Sequence, residues 1–194
     1  MQKISLLLLI FLTGCQAAYH VKLDRVRSVE LDTPSLALEA ADGSFHRLSK
    51  LYKKNRGTVL VFWQTACPCV KRYQKRVIDL NERYRVHGIK FLHLSSNTNE
   101  SFERVKNEYN KRQIPLTLMR DNNAVIAKAL GAKGTPTAIL IDQRGRVQFM
   151  GWIDNERDVG ESGRIAYLED ALEQFIGAKP ISVPTSPMFG CAIY

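Results

Sequence analysis

Residues 59 to 70, Val59-Leu60-Val61-Phe62-Trp63-Gln64-Thr65-Ala66-Cys67-Pro68-Cys69-Val70, constrain the fold of this chain more than any other stretch. An unbroken apolar run that ends in polar and small residues fits a strand buried on both faces. Beyond the cysteines, Val70, Tyr73, Val77, Leu80 and Tyr84 recur at intervals of three and four, which predicts one apolar face of a helix. Two thiols therefore stand at a strand-to-helix junction. A helix that starts at or just after them directs unsatisfied N–H groups and its positive dipole end toward a sulfur, which favours thiolate over thiol. Redox chemistry at Cys67 and Cys69 is the first expectation.

The rest of the chain has room to support such a site. Its 194 residues are 45% hydrophobic and 24% charged, enough for one domain with a sizeable core. Pro34 to Ala40 and Phe45 to Leu48 flank an Asp42-Gly43 turn and read as a hairpin. Strands are expected over Ile89–Leu94, Ile114–Met119, Thr137–Ile141 and Val147–Ile153. Helices are expected around Phe102–Tyr109, with Asn99 or Ser101 as cap, over Ala124–Leu130 with Gly131 as its stop, and over Ile165–Ile176. This order predicts an α/β sandwich with a mixed sheet, parallel units first and an antiparallel pair last.

The two ends read differently. Lys3 is followed by the apolar run Ile4 to Leu12 and then by Thr13-Gly14-Cys15. The nine residues from Ile4 to Leu12, eight of them apolar, span about 14 Å as a helix, too short for a hydrocarbon core of about 30 Å, so residues 1–14 read as a signal segment. Leu-Thr-Gly-Cys resembles the lipobox of bacterial lipoproteins, which implies lipid on Cys15, a membrane tether over residues 15–33, and an extracytoplasmic domain that begins at Pro34. Residues 180–194 carry three prolines yet end in Met188-Phe189-Gly190-Cys191-Ala192-Ile193-Tyr194, too apolar for a solvated tail, so this tail is expected to dock. With Cys15 assigned to lipid, three thiols remain in a compartment that permits disulfides. The formal charge of +9 is scattered in ones and twos without a recognition motif, so no nucleic-acid partner is expected.

Two segments resemble the thioredoxin superfamily, in particular its TlpA-like and AhpC/TSA redoxin branches. Phe62 to Cys69 looks like the active-site segment, and Lys133-Gly134-Thr135-Pro136-Thr137, running into the strand to Asp142 and the Gly145 turn, looks like the family's second hallmark loop. The resemblance covers about Pro34 to Gly177 and implies a thioredoxin-like sandwich, a central mixed sheet flanked by helices. It also implies that Pro136 follows a cis peptide bond beside the sulfurs and that Thr135 offers backbone hydrogen bonds to a substrate strand. Trp63 is placed next to the site. The chain departs from the family pattern at three positions: Val70 stands where the second cysteine of Cys-x-x-Cys would be, Val61 where the buried acid would be, and Thr65 only two residues before Cys67.

These features imply a membrane-tethered thiol–disulfide oxidoreductase acting on protein or small-molecule disulfides and thiols, with Cys67 as nucleophile and Cys69 or Cys191 as the resolving thiol. A disulfide between Cys67 and Cys69 would close a very small, strained ring, which Cys191 avoids. Two alternatives stay open. A thiol peroxidase would pass through a sulfenic acid on Cys67. A copper(I)-binding protein would use Cys67 and Cys69 with Cys191 or Met188, although His20, His46, His87 and His93 do not flank the pair. The oxidoreductase reading calls for no cofactor and no metal.

Overall fold

The structure, a computed structural model, describes residues 16–19, 22–155, 160 and 162–194. The signal segment and Cys15 lie outside the described residues. The elements are β1 (Gln16–Tyr19), α1 (Leu23–Arg27), β2 (Ala37–Ala40), β3 (Phe45–Arg47), α2 (Leu48–Tyr52), β4 (Gly57–Phe62) and α3 (Pro68–Tyr84). They continue with β5 (Ile89–Ser95), α4 (Phe102–Lys111), β6 (Thr117–Arg120), α5 (Val125–Leu130), β7 (Gly134–Thr135), β8 (Ala138–Asp142), β9 (Val147–Gly151), α6 (Tyr167–Ile176) and β10 (Met188–Ala192).

Seven strands form the main sheet in the order β3-β2-β6-β5-β4-β8-β9. The pairs β4–β5 and β5–β6 are parallel, and β4–β8, β8–β9, β2–β6 and β2–β3 are antiparallel. Every residue of β4 is buried, as its continuous apolar run requires of a central strand. Because side chains alternate along a strand, Val59 and Val61 pack with α3, α4 and α6 on one face. Leu60 and Phe62 pack with α1, α2 and α5 on the other. The result is the expected three-layer sandwich, with the C-terminal end of β4 delivering the cysteine turn to the edge of both layers.

Local chemistry explains where the elements begin and end. Ser101 caps α4, accepting the Arg104 N–H at 3.3 Å. Asp121 caps α5 from a distance: its carboxylate accepts the N–H groups of Ile126 and Ala127, each at 2.9 Å, and the Ser96 hydroxyl at 2.8 Å. Strand β6 begins at Thr117 rather than Ile114, since Pro115 has no N–H for a ladder.

Both presumed appendages are part of the domain. The stretch read as a tether carries Val26 and Leu31, each 2% exposed, and Arg27 Nε donates to the Val147 carbonyl at 3.1 Å. The tail docks as expected, and it does so as a strand. Together β1, β10 and β7 form a second, antiparallel sheet in which β10 is central.

Candidate functional site

The site grows from the C-terminal end of β4. Phe62 N–H donates to the Thr137 carbonyl at 2.9 Å and Trp63 N–H to the Leu94 carbonyl at 2.8 Å, which fix the exit direction of the chain. Cys67 then takes the N-cap position of α3 with extended backbone (φ −77°, ψ 115°), and Pro68 takes the first helical position, where its missing N–H costs nothing. The helix thus starts between the two cysteines. Cys67 faces the unsatisfied N–H end of a 17-residue helix. Cys69 instead sits four residues before Tyr73 and belongs to the buried face of α3, with 0% exposure.

Opposite Cys67 lies the loop carrying Pro136. The Thr135–Pro136 bond is cis, and the Cys67 thiol donates to the Thr135 carbonyl at 3.3 Å. Strand β10 runs antiparallel to β7 in a register that sets Cys191 against Thr135 and Ala192 against Gly134. The edge expected to receive a substrate strand therefore holds this chain's own tail. Gly190 makes that register possible: its φ is +144°, and a Cβ there would fall 1.8 Å from the Thr135 carbonyl oxygen.

The tail is anchored on both sides of Cys191. Met188 is fully buried and Ile193 is 1% exposed. Ile193 N–H donates to the Lys133 carbonyl at 2.9 Å, and the Asn97 amide donates to the Ala192 carbonyl at 3.4 Å. The Phe189 ring meets Trp152 with centroids 4.5 Å apart.

These contacts bring two thiols together. Cys67 and Cys191 are both free; Cys67 is buried and Cys191 half-buried. Burial first, and then the hydrogen bond and charge of Cys67 beside it, push the Cys191 thiol up to about 12. At neutral pH Cys191 keeps its proton, and the Cys67 thiol is placed to donate to the Thr135 carbonyl. Cys69 is turned away from this pair, fully buried on the core face of α3.

A polar frame holds the turn from behind. The Glu100 carboxylate accepts from Thr65 N–H at 3.2 Å and from the Thr65 hydroxyl, while Arg112 donates to the Thr65 carbonyl at 2.8 Å. Both backbone groups of a residue two before Cys67 are thus clamped by side chains. The Arg112 guanidinium also lies 5.4 Å from the Trp63 ring and pairs with Glu108 at 2.7 Å. Trp63 is 1% exposed, stacked against His93 and edge-on to Tyr109, so it supports the turn from inside and presents no face to solvent. His93 is enclosed beneath it, and burial lowers its pKa to about 3, which leaves a neutral ring bonded to the Tyr109 hydroxyl at 3.0 Å.

Of the residues singled out from the sequence, the structure gathers Cys67, Cys191, Thr135 and Pro136 at one point. It sets Cys69 and Trp63 behind that point, and Cys15 lies outside the described residues. Glu100 and Arg112 have no signature in the sequence, since one sits in a polar loop and the other at a helix end. Among the described residues, no group of three or more His, Cys, Asp or Glu is placed to hold a metal ion. No helix among them is long and apolar enough to cross a membrane.

Comparison with known proteins agrees with this geometry. The sequence profile of the AhpC/TSA family matches residues 29–150. The thiol-disulfide oxidoreductase ResA of Halalkalibacterium halodurans is 26% identical over 113 residues, which is 58% of this chain and 62% of that protein. The matched region thus spans less than two thirds of that relative's length. Among solved structures, an uncharacterized conserved protein from Geobacillus kaustophilus superposes with a TM-score of 0.73 at 24% identity, covering 92% of this chain and 96% of the other. An uncharacterized thioredoxin-like protein from Porphyromonas gingivalis gives a TM-score of 0.59 at 16% identity, covering 77% and 94%. The fold is thioredoxin-like.

Proposed function

The chain belongs to the AhpC/TSA family, and within that family we propose that it is a membrane-tethered thiol–disulfide oxidoreductase whose exchanging pair is Cys67 and Cys191. The observation that carries this reading is the contact between these two free thiols across the β7–β10 pairing. Exchange needs a nucleophilic sulfur and a second thiol within reach. Cys67 supplies the first at the N-cap of α3, and the docked tail supplies the second. Cys69 serves less well, because it is fully buried and faces the core.

One turnover converts two thiols into a disulfide. The Cys67–Cys191 bond forms, two electrons and two protons leave the pair, and a disulfide partner is reduced to two thiols by the same amount. The reverse cycle oxidises a dithiol. The name of the ResA relative favours this chemistry. The lipobox-like Leu12-Thr13-Gly14-Cys15 supports a lipid anchor at Cys15 and a reaction outside the cytoplasm, in a compartment where disulfides persist.

A disulfide map of the oxidised protein, with exchange assayed on a model disulfide, tests the reading. We expect a Cys67–Cys191 bond and loss of exchange in Cys67→Ser and in Cys191→Ser. Full exchange activity in both variants would refute the assignment. The anchor is tested separately: wild-type protein should sediment with membranes and Cys15→Ala should not.

A further inference from the structure

Resting on the Cys67–Cys191 couple proposed above, we infer that Cys191, carried by the C-terminal strand, is the sulfur an external thiolate attacks, and that Cys67 is the leaving sulfur. The order is the reverse of what the position of Cys67 in the active-site turn suggested.

Access decides it. A thiolate displaces one sulfur of a disulfide by approaching in line with the S–S bond, from the side away from the sulfur that leaves. For attack on Cys67 that side is protein: Cys67 is 1% exposed and packs in one apolar cluster with Trp63, Val70 and Tyr73, with the Thr135 carbonyl 3.3 Å from its sulfur. Cys191 on β10 is only half-buried, so its sulfur can be approached from solvent. The tail does not open this arrangement by fraying, because Met188 and Ile193 anchor it on either side. Gly190 holds it against Thr135 at a distance no other residue fits.

The leaving group favours the same order. In the first step the external thiolate forms a bond to Cys191, the Cys67–Cys191 bond breaks, and its electron pair goes to Cys67. That sulfur faces the positive end of α3, and after protonation it donates to the Thr135 carbonyl. A second external thiolate then attacks the first thiol's sulfur in the mixed disulfide. It leaves as an external disulfide, and Cys191 takes up a proton. No further oxidant or reductant is required.

The test uses the oxidised full-length protein and glutathione as the external thiol, with an acid quench, alkylation of remaining thiols and mass-spectrometric location of the glutathione adduct. We expect at least tenfold more adduct on Cys191 than on Cys67, and equal or greater adduct on Cys67 overturns the inference. A map without any Cys67–Cys191 disulfide overturns the couple itself, a result distinct from an adduct on the wrong sulfur. Should the adduct be resolved faster than the quench, the folded single-thiol variants answer instead. With oxidised glutathione, Cys191 in Cys67→Ser should be modified at least tenfold faster than Cys67 in Cys191→Ser. The opposite ranking again overturns the inference.

Discussion

Replacing Gly190 with alanine tests how the tail seals the site. The added Cβ would lie 1.8 Å from the Thr135 carbonyl oxygen and 2.6 Å from its carbon, both backbone atoms that no rotamer change can move aside. Its φ of +144° is also unfavourable for any residue with a Cβ. The chain relieves the clash by lifting β10 from β7, so the cost is bounded by what docking contributes. Met188 and Ile193 each bury a side chain worth about 1.5–3 kcal/mol, and the freed residues regain part of that as conformational entropy. We expect docking to weaken by about 2–3 kcal/mol, which at about 1.4 kcal/mol per factor of ten raises the open population roughly a hundredfold. Cys67 is 1% exposed with the tail in place. Its alkylation by iodoacetamide in the reduced, folded protein, followed by mass spectrometry, reads that population directly. Labelling of Cys67 in Gly190→Ala at the wild-type rate would show that the tail does not cover Cys67.

Three other perturbations probe the frame. Glu100→Ala leaves the Thr65 N–H and hydroxyl without their buried acceptor and should lower stability by about 1–3 kcal/mol in urea denaturation. Arg76→Ala removes a partner, at 2.6 Å, of the fully buried Asp154 carboxylate. Arg164 remains 3.4 Å away, so the loss should fall near the lower end of the range for a broken buried pair, about 3 kcal/mol. His93 gives a pH signature. Its folded pKa, about 3, lies below the unfolded value near 6.5, so as pH falls through that window the unfolded chain gains a proton the folded one refuses. Stability should drop by about 1.4 kcal/mol per pH unit from this group between pH 6.5 and 3, and chemical denaturation at several pH values should show a shallower slope in His93→Gln.

The fold was legible because its signals are local and repeated. The run through Val61 can only be a central strand, and the spacing from Val70 to Tyr84 can only be a helix laid across it. The same spacing, read one residue pair earlier, includes Cys69 with Tyr73. That placement was available in the periodicity and was obscured by the adjacency of the two cysteines, which invited their reading as a pair. Residues 22–33 were harder, since Val26 and Leu31 show no period and their burial depends on the surface offered by α2 and β9. Glu100 and Arg112 lie 35 and 47 residues from Thr65, so nothing in the sequence near any of them announces the clamp.

The strand, the helix and the two-cysteine turn follow from hydrophobic periodicity and from the backbone preferences of proline and glycine, which act over a few residues. A docked tail was also foreseeable, because an apolar C-terminus is costly to leave in water. The sulfur that meets Cys67 was not. Cys191 is 124 residues away along the chain, and its place against Thr135 depends on the hydrogen-bond register of β10 on β7 and on a glycine where the two backbones come closest to touching. Register is a relation between distant segments. A shift of one residue would turn Cys191 to the other face of the strand and leave the same sequence without its pair.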